Sequence, residues 1–368
     1  MNILDTGIKN VRNVSRYTIG EGSLKGLSSQ LQEYRKTRGD KGVIYFIDEF
    51  FKGNKSILEQ LKVSAIDEII FVSTENEPTT DYIDCFVEKL RNNNLIDPLA
   101  IVGMGGGTTM DIAKAVSNLL TNGGKAAEYQ GWDLVKVKGV FKIAVPTLSG
   151  TGAEATRTCV MTNKLNGLKL GMNSDYTVYD QIIMDPTLTS TVPRSQYFFT
   201  GMDAFIHCIE ALNGSYRNAI GDSFSTQSIN LCRDVFTSED MMSANNRLKL
   251  MVASYLGGCA IGTTYVGVIH PFSAGLSVVL GTRHCLANCI VMFAMEEFYP
   301  DEYSEFRAMV EKQEIFIPEG ICANLTDSQY EQLYKATIIH EKPLTNALGN
   351  NFKSILSKEK VIEIFKKM

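Results

Sequence analysis

Residues 101–120 read IVGMGGGTTMDIAKAVSNLL. An apolar, β-branched run gives way to three glycines, Gly105, Gly106 and Gly107, and then to a helical pattern. Glycine has no Cβ, so the backbone there can approach a pyrophosphate closely. The N–H groups of Thr108 and Thr109, at the start of the helix, would point at the anion. A glycine-rich turn with no ligand is the plainer reading of the same letters. A second loop, PTLSGTGAEAT (146–156), tells against it. That loop also follows a β-rich run, is rich in Gly, Ser and Thr, and offers Ser149 as a further contact. Two such loops at adjacent strand ends point to a nucleotide.

The flanking sequence repeats the pattern. KGVIYFID (41–48), DEIIFVST (67–74), PLAIVGMG (98–105) and VFKIAVPT (140–147) are apolar runs bounded by turn residues. They read as buried parallel strands. Between them lie helical stretches such as SLKGLSSQLQEYR and, at 82–92, YIDCFVEKLRN. This alternation predicts a doubly wound α/β sheet. IIMDP (182–186) closes the series at Pro186, and from Pro193 onward the pattern is helical. The expected division is an α/β nucleotide-binding domain over residues 1–188 and an all-α domain over 189–368. The cleft between such domains is the default place for a site.

Asp48 ends the strand VIYFID. A carboxylate there would bind ribose hydroxyls and repel a 2′-phosphate, which favours NAD over NADP. Taken alone, it could equally be a turn-initiating Asp. It precedes the glycine loop, whereas the usual dinucleotide fingerprint places its acid about 20 residues after the glycines. An NAD site here therefore implies a sheet wired differently from an ordinary Rossmann domain.

The second half supplies different chemistry. In TGMDAFIHCIEA (200–211), Asp203 and His207 lie one helical turn apart and project from one face. Two of the four histidines, His270 and His284, follow in VIHPFSAGLSVVLGTRHC (268–285). Three imidazoles and one carboxylate suit a borderline divalent ion such as Fe(II) or Zn(II). One carboxylate leaves a net positive centre, able to polarise an alcohol oxygen. Spacing alone does not bring these residues together, and a single histidine is more often structural.

Composition bounds the rest. The 368 residues are 44% hydrophobic and 21% charged, with a formal charge of -5. That balance is ordinary for a globular protein and argues against nucleic acid or an anionic membrane as partner. The eight cysteines form no close CxxC pair and read as reduced thiols. The start MNILDTGIKNVRN has no signal-peptide core. A cytoplasmic location is expected.

Together, GGGTTMDIAK, PTLSGTGAEAT, IIMDPTLTSTVP, TGMDAFIHCIEA and the His270–His284 pair resemble the iron-containing (group III) alcohol dehydrogenase family, in the same order across roughly residues 10 to 290. The resemblance implies an N-terminal NAD-binding α/β domain and a helical C-terminal domain, the fold shared with dehydroquinate synthases, and a divalent metal. It places the metal ligands and catalytic centre on Asp203, His207, His270 and His284. Its glycine motif falls on Gly105–Gly107, its ribose-facing acid on Asp48, and its phosphate-side contacts on Thr108, Thr147 and Lys169. The family's own strand wiring accounts for the early Asp48.

Two departures set this chain apart. Many members carry a second histidine four residues after the third ligand, where this chain has Ala274. Many also carry an Asn-Pro-Arg segment near the C-terminus, where this chain has TIIHEKPLTNALG (337–349). These features resemble a branch that oxidises the C8 hydroxyl of the acidic sugar 3-deoxy-D-manno-octulosonate (Kdo), ahead of an aminotransferase that makes the 8-amino sugar of lipopolysaccharide. The branch is described as an oxidase, but no flavin signature is present, and the motifs support hydride transfer to NAD. Arg157, Thr158, His340 and Lys342, with Arg283, are candidates to hold the substrate's carboxylate. The expected partners are a small acidic sugar and a second copy of the chain, with no nucleic acid and no membrane. The alternatives are a generic NAD-dependent alcohol dehydrogenase or aldehyde reductase on another small polyol, a phosphate-eliminating synthase on the same scaffold, and a nucleotide-sensing regulator.

Overall fold

Strand β2 (Val43–Asp48) is buried on both sides. Its odd residues, Val43, Tyr45 and Ile47, pack in one apolar cluster with Leu27, Leu31 and Leu61. Its even residues, Ile44 and Phe46, pack in another with Ile83, Val87, Ile112 and Val116. Successive side chains of a strand point to opposite faces, so these two clusters are the two covered faces of one sheet. The computed structural model describes residues 3–4 and 11–368.

Six strands form that sheet: β1 (Arg16–Ile19), β2, β3 (Glu68–Val72), β4 (Ala100–Gly105), β6 (Lys142–Pro146) and β9 (Gln181–Met184). Their order is β1-β9-β6-β4-β2-β3, and every pairing is parallel. Helices α1 (Leu27–Arg38) and α2 (Lys55–Leu61) supply one face; α3 (Thr80–Asn92) and α4 (Gly107–Asn122) supply the other. From β2 the chain steps outward to β3, then returns to place β4 on the opposite side of β2. That reversal creates a topological switch point, and ligands of open α/β sheets bind beyond the carboxyl ends of the strands there. Asp48 ends β2 and Gly105 ends β4.

The five strands read from the sequence are all present. Strand β1 and a second sheet are additions. The second sheet has the order β5-β8-β7, with β5 (Gly131–Trp132), β7 (Thr158–Asn163) and β8 (Leu168–Asn173).

The chain forms two compact units. The α/β unit comprises Arg12–Leu148 and Gly152–Thr191. The other contains Val192–Met368 together with Ser149–Thr151. It holds α5 (Arg194–Leu212), α6 (Ala219–Phe236), α7 (Ala244–Thr263), α8 (Ile269–Leu280), α9 (His284–Met292), α10 (Pro300–Lys312), α11 (Asp327–Ile338), α12 (Glu341–Leu348), α13 (Phe352–Ile355) and α14 (Lys358–Phe365). Helix α5 starts just after Pro193 and is buried along most of its length, with Phe198, Met202, Phe205 and Ile209 in the core. Among the described residues, no helix is long and apolar enough to cross a membrane.

Candidate active site

A helix buried all round must satisfy any polar group it carries. Helix α5 buries two carboxylates and one imidazole, those of Asp203, Glu210 and His207. Their spacing of four and then three residues aligns them on one stripe. Two further helices bring their termini to this stripe. His270 lies in the first turn of α8, where Pro271 is tolerated because the first-turn N–H groups have no intrahelical partner. Helix α8 ends at Leu280, and three residues, Gly281 to Arg283, turn the chain so that α9 begins at His284.

Three imidazoles converge on one carboxylate. Nε2 of His270 is 3.3 Å from Oδ1 of Asp203, Nε2 of His207 is 3.6 Å from the same oxygen, and Nε2 of His284 is 3.7 Å from Oδ2. Asp203, His270 and His284 offer atoms that all lie within 4.8 Å of one another. His207 joins them through its contact with Asp203 and stacks on His270, with ring centroids 4.5 Å apart. Asn288, one turn after His284, donates to Asp203 Oδ1 at 2.6 Å, and the Cys285 thiol lies 3.7 Å from Oδ2.

The electrostatics favour a cation. Burial opposes the charge on Asp203, but His207, His284 and His270 outweigh it and hold the carboxyl far below its usual range. Burial pushes His207 down to about 4 against the pull of Asp203. Burial also acts against the His270 cation, yet Glu210 and Asp203 raise that group to about 9. Asp203 is the one carboxylate in this group, and Glu210 stands behind it, bonded to His270 Nδ1, so the two carboxylates and a dication would form a near-neutral set.

In the α/β unit, helix α4 begins at Gly107 with Gly106 as its N-cap. No side chain caps this end, and no acid occupies its first turn. Its first N–H groups and the positive end of its dipole therefore suit a phosphate. A Cβ at Gly105 would meet Thr109 Oγ1 at 2.6 Å, and one at Gly106 would meet Leu148 at 2.8 Å. The Thr147 N–H donates to the Gly105 carbonyl at 3.0 Å, which joins the two glycine-rich loops. Thr108 lies in the first turn of α4. Asp48, at the end of the neighbouring strand, accepts from the Phe50 N–H at 3.0 Å and from the Thr74 hydroxyl at 3.3 Å. Burial raises its pKa, partly opposed by those two bonds.

Behind this mouth, the fully buried Lys114 donates to the Thr156 carbonyl and hydroxyl, each at 3.0 Å, and to the Thr158 carbonyl at 2.7 Å. It ties α4 to the chain leaving the second glycine loop. Lys169, on β8, is buried against Glu77 at 2.5 Å.

These arrangements match an established pattern. The family model described as iron-containing alcohol dehydrogenase fits residues 15–186, and that for the C-terminal region of the same family fits residues 198–313. A sulfoacetaldehyde reductase of Bilophila wadsworthia is 30% identical over 280 residues, 74% of this chain and 70% of its own. The chain belongs to the iron-containing alcohol dehydrogenase family.

Another relative, the NAD-dependent methanol dehydrogenase of Bacillus methanolicus, is 27% identical over 74% of this chain and 71% of its own. Among solved structures, a 1,3-propanediol oxidoreductase superposes with a TM-score of 0.83 at 19% identity, covering 98% of this chain and 99% of that one. A sulfoacetaldehyde reductase from Bifidobacterium kashiwanohense in complex with NAD+ gives 0.78 at 21% identity, covering 97% and 98%. Iron-containing alcohol dehydrogenases use NAD and a divalent metal to interconvert alcohols and aldehydes, and this member has donor groups suited to both.

The remaining candidates are divided between the two units. Ser149 belongs to the helical unit, and its buried hydroxyl has no hydrogen-bond partner. Arg157 pairs with Asp133 at 2.6 Å and with Asp175 at 3.2 Å, and Thr158 opens β7. His340 occupies the N-cap position of α12 without a side-chain capping bond, and Lys342 stands 5.9 Å over the Tyr265 ring. Asn346 of the same helix donates to the Tyr265 and Val266 carbonyls, in the segment that leads into His270. The sequence reading missed Glu210 and Asn288. Both stand on the periodic stripes of residues already singled out, seven positions after Asp203 and four after His284.

Proposed function

We propose that this enzyme oxidises the C8 primary hydroxyl of Kdo to the 8-aldehyde with NAD as acceptor, supplying an aldehyde of the kind an aminotransferase converts to an 8-amino sugar. The observation that carries this reading is the placement of His340 and Lys342 at the start of α12. His340 and Lys342 lie on a helix bonded to the residues just before His270. A cation so placed would meet a carboxylate at the remote end of a substrate whose hydroxyl faces the histidines. Arg157, the other candidate cation, is paired with Asp133 and Asp175.

When bound, a divalent ion would polarise the alcohol oxygen, and NAD would accept the hydride. Asp203, His207, His270 and His284 would hold the ion. The N-terminus of α4 and Thr147 would hold the pyrophosphate, and Asp48 the ribose. Ala274, one turn after His270, carries no proton, so no relay runs through that position. A second reading is reduction of a small anionic aldehyde. It is favoured by the sulfoacetaldehyde reductase of Bilophila wadsworthia, whose named substrate also carries an anionic group.

The test is NADH formation on adding Kdo to iron- or zinc-loaded protein, with and without oxygen. Lys342→Ala and His340→Ala should then be compared on Kdo and on a neutral sugar alcohol of similar length. Losing one charge-assisted bond of about 1.5–3 kcal/mol should lower kcat/KM for Kdo by about 10- to 150-fold. It should leave the neutral substrate nearly unaffected. No NADH from Kdo, or both variants treating the two substrates in the wild-type ratio, would sink the proposal.

A further inference from the structure

We propose that Glu210 is a positioning residue: it accepts the Nδ1 proton of His270 and so turns the Nε2 lone pair of that ring towards Asp203 and the bound ion. This rests on reading the histidine cluster as the metal centre.

Glu210 projects from α5, one turn beyond His207, and its carboxylate is fully buried. One oxygen, Oε2, bonds to His270 Nδ1. The other, Oε1, accepts from the Ile269 N–H at 2.6 Å and from the His270 N–H at 3.4 Å. These are first-turn groups of α8, which has no side-chain cap from its own N-cap residue. Glu210 therefore holds the helix end that carries His270 and also holds the ring itself. Room for this comes from Gly267, where a Cβ would meet Glu210 Cγ at 3.2 Å and the Tyr299 hydroxyl at 2.5 Å. The two stacked rings are not equivalent. The outer nitrogen of His270 faces a carboxylate, whereas Nδ1 of His207 is buried with no hydrogen-bond partner.

A neutral imidazole carries its proton on one nitrogen, and the partner of the outer nitrogen decides which. With the proton on Nδ1, Nε2 is a bare donor aimed at Asp203 Oδ1, 3.3 Å away. Only a carboxylate accepts at both ends of this contact. A glutamine of the same shape presents one acceptor and one donor. If its oxygen faces the α8 N–H groups, its NH2 faces Nδ1 and drives the ring proton to Nε2, where it blocks the ion. If it is flipped, its NH2 meets the α8 N–H groups head-on.

The test compares wild type with Glu210→Gln in metal-free form, titrated with Zn2+ and with Co2+ by calorimetry in competition with a chelator. The expected result is metal affinity weakened roughly 10- to 100-fold in the variant, with its circular dichroism unchanged. Unchanged affinity in a folded variant would overturn the proposal. If the wild type binds neither ion, the metal reading itself falls, a result distinct from failure of Glu210 alone. If the variant does not fold, zinc-loaded wild type with 15N-labelled histidine decides. Its four histidines are few enough to assign by single substitution. A His270 Nδ1–H signal shifted far downfield and slow to exchange is expected. A signal that exchanges as fast as that of His340 would overturn the assignment.

Discussion

The α/β unit and the helical unit build their sites from opposite materials. At the carboxyl ends of β2 and β4 the chain presents main-chain groups: the open N-terminus of α4, three glycines, and a single acid at the rim. In the helical unit it presents almost nothing but side chains, four polar residues from three helices around one buried carboxylate. The first site depends on what is missing, since a Cβ at Gly105 would clash with Thr109 and one at Gly106 with Leu148. The second depends on what is added, since each imidazole is costly to bury unless it has a partner. A site made of backbone is thus defended by sterics, and a site made of side chains by charge balance.

The contrast can be broken most decisively at His207. His207→Ala should abolish stoichiometric metal binding, with a larger loss than the roughly 10- to 100-fold typical of an outer partner. NAD affinity, measured by fluorescence titration, should stay close to wild type because the α/β unit that carries the glycine mouth contains no histidine. Full metal occupancy in that variant by elemental analysis would remove His207 from the ligand set.

A smaller effect should appear at Asp111, on α4 behind the glycine mouth. Its carboxylate accepts from the Val160 N–H at 2.9 Å and lies 3.8 Å from Lys114. Burial raises it to about 6, opposed by Lys114 and Lys169, while Glu77 raises it further. A carboxyl raised on folding contributes stability that is complete below its unfolded pKa and is lost as the pH climbs through the folded value. Relative to Asp111→Asn, the wild type should therefore lose about 2–3 kcal/mol between pH 4 and pH 7. Urea unfolding of both proteins at several pH values reads this directly, and a flat difference would refute it.

How much of this was legible in the sequence follows from the same contrast. The parallel strands announce themselves because burial on both faces demands unbroken apolar runs, as in VIYFID and AIVGMG. Edge strand β1 (RYTI) has no such run, because most of it is exposed. In the hairpin, β7 is buried on alternate residues and β8 at Lys169 and Met172, a weaker signal in six-residue strands. The glycine mouth is local in the chain and can be read from contiguous letters. Asp203 and His207 are legible for the same reason, one turn apart on one helix. That His270 and His284 reach them depends on how α8 and α9 pack on α5, which no local spacing encodes. Glu210 lay in plain view on the same stripe, but a glutamate in a helix reads as solvent-facing until its burial is known.

The smallest effect should come from Asp48, where the two materials meet in one residue. Asp48→Asn keeps an acceptor for the Phe50 N–H and removes only the charge. The preference for NAD over NADP should narrow by roughly tenfold, about 1.4 kcal/mol, through loss of like-charge repulsion. A wild type that binds both cofactors equally would show that Asp48 does not face the 2′ position.

Gly150 carries a consequence for how mutational data on this protein should be understood. It has a φ of +148°, and a Cβ added there would lie 1.4 Å from the Thr200 carbonyl oxygen, one turn of α5 before Asp203. No rotamer choice relieves a clash with backbone, so even alanine must push aside the helix that carries Asp203 and His207. In a saturation library scored by activity, codon 150 would be as intolerant as the codons for the histidines, although glycine supplies no functional group. Intolerance at this codon would report the space α5 requires, and it should not be counted as a further residue of the reaction.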